Sequence, residues 1–412
     1  MRIVYKRCCG LDVHKRVIVA CLLLLDPDGE FRKEVRKFGT MTKDLLELLD
    51  WLQQSDCTHV AMESTGVYWK PIYNILEGQL EVAVVNAQHL KGVPGRKTDV
   101  LDSEWLAECF QLGLLKPSFI PPAPVREVRD LTRYRTSLIG ERARTANRLQ
   151  KVLEDANIKL AGVATDIQGV SAVAILREIV SGTTDPEVLA DLAKGLLRKK
   201  RAQLIDALSG RVKPHHRFLI AEHLSQMEYL ESAIQRINVE LEERLRPFAD
   251  EIEFLDSIPG ISRQIAEVML AEIGWDMSRF PTDKNLASWA GMCPGNNESA
   301  GKRRNGKTRK GSRWLRHALI EAAHGAARTK NKYLKAQYHR VAAHRGKKKA
   351  LVAVGHSILI ISYHLLTRRE RYSDLGANYF DERDRNAVQR RCVKRLEKLG
   401  YEVDLKPATL VA

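Results

Sequence analysis

Four carboxylates and one serine carry the chemistry that this sequence can be asked about. Asp12, Glu63, Asp99 and Asp102 lie in the first quarter of the chain, each at the edge of an apolar segment. The last two are three residues apart, so on a helix they share one face. Several hard oxygen donors of this kind suit a pair of Mg2+ ions about 4 Å apart, one activating an attacking oxygen and one stabilising the leaving oxygen. Mn2+ is an acceptable substitute. Glu104 and Glu108, farther along the same segment, compete for the last place.

Far downstream, Ser299 stands in GMCPGNNESAGKRRNGKTRKGSRWLR. Glycines at 291, 295, 301, 306 and 311 let backbone amides approach phosphate, and Arg303, Arg304, Lys307, Arg309, Lys310, Arg313 and Arg316 supply positive charge. A serine hydroxyl is a poor nucleophile unless a base or a metal takes its proton. No base lies in the segment, and His317 and His324 fall on the helix that follows. On these residues alone, with Ser288 and Ser312 flanking, a phosphate-binding loop without catalysis is the favoured reading. The acids suit divalent metal and the serine suits a nucleophile beside a polyanion; together they point to DNA strand exchange.

The elements that must position the acids follow from periodicity. Cys8–Val13 and Val17–Leu25 read as strands, and the turn Asp26-Pro27-Asp28-Gly29 leads to a third, Phe31–Phe38, which alternates apolar and charged residues. Met41–Gln53 is an amphipathic helix, with Thr40 or Thr42 available as its cap. His59–Met62 and Val82–Val85 are further strands, Val67–Leu76 and Asp99–Leu112 further helices. Three antiparallel strands followed by alternating helices and strands is the order of the RNase H/RuvC-like fold. In that order Asp12 and Glu63 fall at strand ends.

Composition sets the partner class. The 412-residue chain carries a net charge of +16, and residues 301–349 alone hold seventeen Lys or Arg against one acid, Glu321. A field this concentrated favours a phosphate backbone and strongly salt-dependent binding. Trp314, Leu315, Leu319, Tyr333, Leu334 and Tyr338 interleave with the charges, as in a folded surface. Seven cysteines with no CxxC pair suggest neither a disulfide framework nor a zinc knuckle, and a reducing cytoplasm fits. The apolar run Val17–Leu25 is too short to span a bilayer and is followed by no cleavage site, so no membrane association is expected.

The expected class is α/β plus all-α, in four segments: 1–115 an RNase H/RuvC-like domain, 116–250 a helical, coiled-coil region, 251–370 a mostly helical domain carrying Ser299, and 371–412 a tail. In the middle, helices over 125–157 and 218–245 show heptad-like spacing and read as an antiparallel coiled-coil stalk used for assembly, although packing only within the chain fits equally. The arginines of the first (126, 129, 133, 135, 142, 144 and 148) read as a solvated face or as RNA or DNA contacts. Residues 161–217 read as short helices ending in a basic patch, with no chemistry assigned. Leu255–Gly274 resembles a helix-hairpin-helix, whose turn, with Gly260 and Ser262, can hold DNA phosphate without reading sequence.

Taken together, GLDVHK, AMESTGVYW, VVNAQHLKGVPGRKTDVLDSEWLAE, LDSIPGIS and WAGMCPGNNESAGKRRNGKTRKGSRWLRHAL make the chain similar to the insertion-sequence 110 family of transposases, in its 1111-like subgroup. The resemblance reaches to about residue 370. It implies a RuvC-like DEDD domain with Asp12, Glu63, Asp99 and Asp102 as catalytic metal ligands, and a transposase domain with Ser299 as nucleophile. It further implies donor and target DNA, a structured guide (bridge) RNA, a 5′-phosphoserine intermediate, and a tetramer, a dimer of dimers, in which the acids of one subunit meet the serine of another. A prokaryotic, cytoplasmic, nucleoid-associated location goes with this.

Two other functions compete. A metal-dependent, junction-resolvase-type nuclease would hydrolyse DNA with water and use Ser299 only to bind phosphate. A non-catalytic nucleic-acid-binding protein would keep salt-dependent binding and need no metal. Whichever holds, replacing Arg303 and Arg304 by alanine should weaken DNA binding across all sequences and reduce the slope of log K against log salt by about one per residue. A salt titration on two unrelated duplexes checks this; a loss confined to one sequence would mean base reading instead.

Overall fold

The computed structural model describes residues 3–25, 30–64, 66–86, 99–295, 297–299, 302–306 and 308–405, with the backbone alone at 31, 99–101, 297–299 and 302–305. The expected turn at 26–29 and Lys307 lie outside the described residues. The chain divides into two compact units, Met1–Pro121 and Pro122–Ala412. Residues 1–115 lie within the first unit, and residues 122–412 make up the second.

The first unit is a five-stranded mixed sheet, β1 (Arg7–Val13), β2 (Ile18–Leu25), β3 (Phe31–Phe38), β4 (His59–Glu63) and β5 (Glu81–Val85), in the spatial order β3-β2-β1-β4-β5. β1 pairs antiparallel with β2, and β2 with β3, while β1–β4 and β4–β5 are parallel. The parallel central strands carry apolar side chains on both faces, as a sheet covered on both sides requires. On one face Cys9, Leu11, Val60 and Met62 bury against α1 (Thr42–Gln54) and α2 (Trp69–Leu76). On the other, Cys8, Cys21, Ala61 and Val85 bury against α3 (Asp99–Gln111) through Leu106, Ala107 and Phe110. Burial pushes the thiols of Cys8, Cys21 and Cys57 up to about 12, so these cysteines behave as small apolar groups. Neither threonine caps α1: Met41 is its N-cap, and Asp44 reaches back to accept the Met41 amide at 3.1 Å.

The second unit is built on two long helices, α4 (Ala123–Asp155) and, farther on, α9 (Pro214–Leu245). Arg135 bonds Asn238, Arg142 pairs with Glu231, Arg244 with Glu127 and His216 with Asp155, so partner numbers fall along one helix as they rise along the other: the pair is antiparallel and lies within one chain. Leu138, Leu230, Ala233 and Ile234 form part of its seam. Between the two, α5 (Leu160–Val163), α6 (Val170–Ser181), α7 (Pro186–Asp191) and α8 (Arg201–Leu208) pack into one apolar cluster with the far end of the pair.

The arginines of α4 are largely occupied inside the unit. α10 (Ala249–Asp256) and α11 (Arg263–Ile273) form the expected helical hairpin, and α11 buries two glutamates against α4. Arg135 sits at a core position of the heptad and donates to Glu267 at 2.6 Å, both side chains under a tenth exposed. Arg133 grips Glu272 with two bonds of 2.6 and 2.9 Å, and Arg129 donates to the carbonyls of Ala271 and Glu272. The bareness of Gly260, in the turn of the hairpin, serves packing: a Cβ there would come within 2.4 Å of the backbone of Ala322 and Ala326 on α13 (Arg313–Arg328). Ser262, next to it, is exposed at the start of α11.

α12 (Asp283–Trp289), α13, α14 (Tyr333–Arg345) and α15 (Lys347–Arg368) complete the unit. By length and composition α15 could cross a membrane; here Val354, Ile358, Leu359, Leu365 and Leu366 bury one side of it among the neighbouring helices. The tail folds back rather than trailing away. The Tyr372 amide donates to Ser257 Oγ at 2.9 Å, Arg369 pairs with Glu251, and α16 (Tyr379–Arg383) brings Phe380 against Tyr333. The final helix, α17 (Arg385–Glu397), buries none of its residues.

Removing one partner from a buried ion pair strands the other, at a cost of about 3–5 kcal/mol, whereas replacing both by apolar groups is often neutral. Arg135→Ala should therefore lower unfolding free energy by about that amount, and Arg135→Met with Glu267→Leu by much less. Chemical denaturation of the three proteins checks it; equal losses would mean that the charges are not coupled.

Candidate metal centre and serine hairpin

The register of β1 and β4 brings Asp12 and Glu63 together. Leu11 is level with Met62, so the next step along both parallel strands sets Asp12 beside Glu63. Neighbouring strands lie ~5 Å apart, and successive residues alternate between faces. Cys8, Gly10 and Asp12 share one face of β1, and Ala61 and Glu63 the same face of β4: the face that α3 covers.

Gly10 decides how close α3 comes. A Cβ at this position would lie 2.4 Å from the Ser103 carbonyl oxygen and 2.5 Å from the Ala107 nitrogen, so the helix backbone rests directly on the strand. The two run in opposite directions: the Val4 amide bonds the Gln111 carbonyl, and Tyr5 meets Phe110. A strand rises about 3.3 Å per residue and a helix 1.5 Å, so the two residues from Gly10 to Asp12 match about four along α3. Four residues back from Ser103 is Asp99, with Asp102 beside it. All four acids of the expected set are thus carried by backbone to one end of the sheet.

The side chains described there fit the same picture. Asp12 is 15% exposed, and its Oδ2 lies 2.9 Å from His14 Nε2. His14, which stands just past the end of β1, has no role in the expectation from sequence. Glu104 is drawn off: Lys33 on β3 donates to it at 2.7 Å, and that bond raises the Lys33 ammonium pKa. Its partner is on the far side of β2, away from Glu63. Carboxylates alone, hard and anionic, are a donor set suited to Mg2+ or Mn2+ rather than to softer metals.

A second group of metal-ligand type, Asp155, His215 and His216, behaves otherwise. His216 Nδ1 accepts the Lys213 amide at 3.1 Å, which leaves the proton on Nε2, and Nε2 donates to Asp155 at 2.8 Å. With both ring nitrogens engaged, the group ties the start of α9 to the end of α4. The bond from His216 holds the Asp155 carboxyl below its usual range.

Ser299 lies on a β-hairpin rather than in an irregular loop. β6 (Asn297–Ser299) pairs with β7 (Lys302–Asn305), Ser299 opposite Lys302 and Glu298 opposite Arg303, with a bulge at Asn297. The serine is therefore the last paired residue before the tip. The hairpin has a firm root. Pro294 bridges Thr308, and a Cβ at Gly311 would stand 2.1 Å from the Ala290 carbonyl oxygen, so the ends of the segment touch backbone to backbone. Arg316 donates to the Gly291 carbonyl (3.3 Å) and to Thr308 Oγ1 (2.9 Å), which makes it a clamp on this root. Arg309, Lys310 and Arg313 are exposed beside it, whereas Arg303 and Arg304 are placed only by backbone. Of the flanking serines, Ser288 belongs to α12, and Ser312 caps α13 while donating to Glu272 at 2.8 Å.

The strand order, the register and the covering helix define the first unit as an RNase H/RuvC-like domain, joined to a mostly helical second unit. Residues 9–158 match a DEDD transposase model of the IS110 type, and residues 252–339 match the model described as "Transposase IS116/IS110/IS902 family". Together these matches span more than half of the chain, which belongs to the IS110 family of transposases. Such membership implies DNA cleavage and transfer. The chain is also 24% identical, over 68% of its length and 75% of the relative's, to a "Probable family 20 transposase" of Pseudomonas aeruginosa. Over 27% of its length it superposes on all but 1% of the RuvC structure from Thermus thermophilus, at 13% identity and a TM-score of 0.21.

If α3 rests on β1 as described, Gly10→Ala should cost about 1–3 kcal/mol, the usual penalty for overpacking, because backbone rather than a flexible side chain is in the way. Thermal unfolding of the variant checks this; an unchanged midpoint would mean that α3 does not lie on the strand.

Proposed function

We propose that this transposase is a Mg2+-dependent serine recombinase guided by a structured RNA, which excises and inserts its own element. The observation that supports it best is the occurrence, in one chain, of four acids carried towards one sheet end and a serine at the last paired position of an anchored, basic hairpin. In the proposed reaction a bond forms between Ser299 Oγ and a DNA phosphorus while the bond from that phosphorus to the 3′-oxygen breaks. The serine loses its proton and the leaving oxygen gains one, giving a 5′-phosphoserine and a free 3′-OH. Metal held by Asp12, Glu63, Asp99 and Asp102 would lower the pKa of the attacking hydroxyl and neutralise charge on the leaving oxygen.

Resemblance to the family supports the remaining parts: donor and target DNA recognised through base pairing with the guide, and a tetramer in which the acids of one subunit meet the serine of another. A serine without a neighbouring base is consistent with such a composite site. The cations of residues 302–316 would hold phosphates, which fixes position but carries no sequence information.

The test mixes purified chain, RNA transcribed from the element's end, labelled donor and target DNA, and Mg2+, resolved on a denaturing protein gel. Label should migrate with the protein in the wild type and be absent from both Ser299→Ala and Asp12→Ala, with binding to DNA retained. Cleavage without adduct that persists in Ser299→Ala would establish the hydrolytic nuclease instead.

A further inference from the structure

The second unit holds a cleft of about 650 Å3 walled by the start of α12, the middle of α15 and the returning strap at 370–375. Its lining is largely apolar and aromatic, with Ile361, Leu365, Tyr372 and, at its exposed edge, Leu375; Lys284, Arg368 and Arg371 line it beside Asp283 and Glu370, Arg368 pairing with Glu370 and Arg371 with Glu253. His356 lines it as well. The Nδ1 of His356 is one of a few buried side-chain polar atoms with no hydrogen-bond partner among the described residues. A second, Gln337 Oε1, belongs to an amide that donates to Ser357 of the same wall. Burial holds the His356 imidazole below its ordinary pKa, so near neutral pH it can serve as donor or acceptor to a neutral ring. Cys293, also in the wall, immediately precedes Pro294, the residue that bridges Thr308 at the root of the serine hairpin.

A free phosphate or a fully paired backbone would have no use for the apolar interior, and a purely apolar ligand none for the cations. A flat heteroaromatic ring on a phosphate chain uses both. We propose that this cleft receives an unpaired nucleotide of the DNA substrate, its base inside and its phosphate towards Lys284, and so fixes the DNA strand beside the hairpin that carries Ser299. The inference rests on the reading of the chain as acting on DNA. Two of the walls, α15 and the strap, lie beyond the residues that match the transposase models.

The test uses the full-length chain at one fixed salt concentration, with a fully paired duplex and the same duplex carrying one unpaired 2-aminopurine. The wild type should bind the second about tenfold more tightly, with a change in probe emission. Ile361→Trp and Leu375→Trp fill the cleft from opposite walls; each should abolish the preference and leave affinity for the paired duplex within about twofold. Equal wild-type affinity for both duplexes, or a preference that survives both fillings, overturns the proposal. A stronger preference for the same unpaired nucleotide in RNA overturns the assignment to DNA. Failure to bind either duplex, both alone and with RNA transcribed from the element's end, removes the DNA-acting reading as well, which separates the two failures.

Discussion

The buried carboxylate of Glu272 is the point on which the second unit depends. It is almost wholly removed from water, and it is held by two bonds from Arg133 on α4 and one from Ser312 at the head of α13. An unpaired charge in such a place would cost several kcal/mol, so the three groups must come together or not at all. Through them the long helical pair, the helical hairpin and the base of the serine hairpin share one fixed geometry. Ser312 follows directly on Gly311, whose contact with Ala290 closes that base. The support of the segment that carries Ser299 is thus set by a charge buried 27 residues earlier in the chain.

This arrangement explains why the first unit was largely legible in the sequence and the second less so. The strands of the first unit are short, apolar and locally punctuated, and their observed limits fall within a residue or two of those read from periodicity. Asp12 and Glu63 follow from that order alone. The closeness of α3 does not, because it turns on what Gly10 lacks, and a missing side chain leaves no pattern. The cap of α1 likewise escaped, since Asp44 reaches back over three residues while Thr40, which looked available, donates to the Lys15 carbonyl instead.

In the second unit, the arginines of α4 could be read only against solvent or nucleic acid, because Glu267 and Glu272 lie more than 130 residues away and nothing local couples them. Glycine density around Ser299 suggested a loop; the pairing of Ser299 with Lys302 depends on a register that short strands polar on both faces specify weakly. Arg316 looked like one more cation in a basic stretch and proved to hold the root. Once these internal partners are subtracted, the charge left exposed for a polyanion is narrower than the composition suggests, and Arg309, Lys310 and Arg313 keep part of it beside the hairpin.

The hairpin also has a length. From the bridge at Pro294 to Ser299 is five residues, a length of chain that can reach at most about 17 Å, roughly twice the ~8.5 Å depth of a major groove. If Ser299 attacks DNA as proposed above, an arm rooted in this way would measure rather than read: the phosphodiester it met would be chosen by where the strand is held, and a change in the arm's length would shift the cut without altering what is recognised.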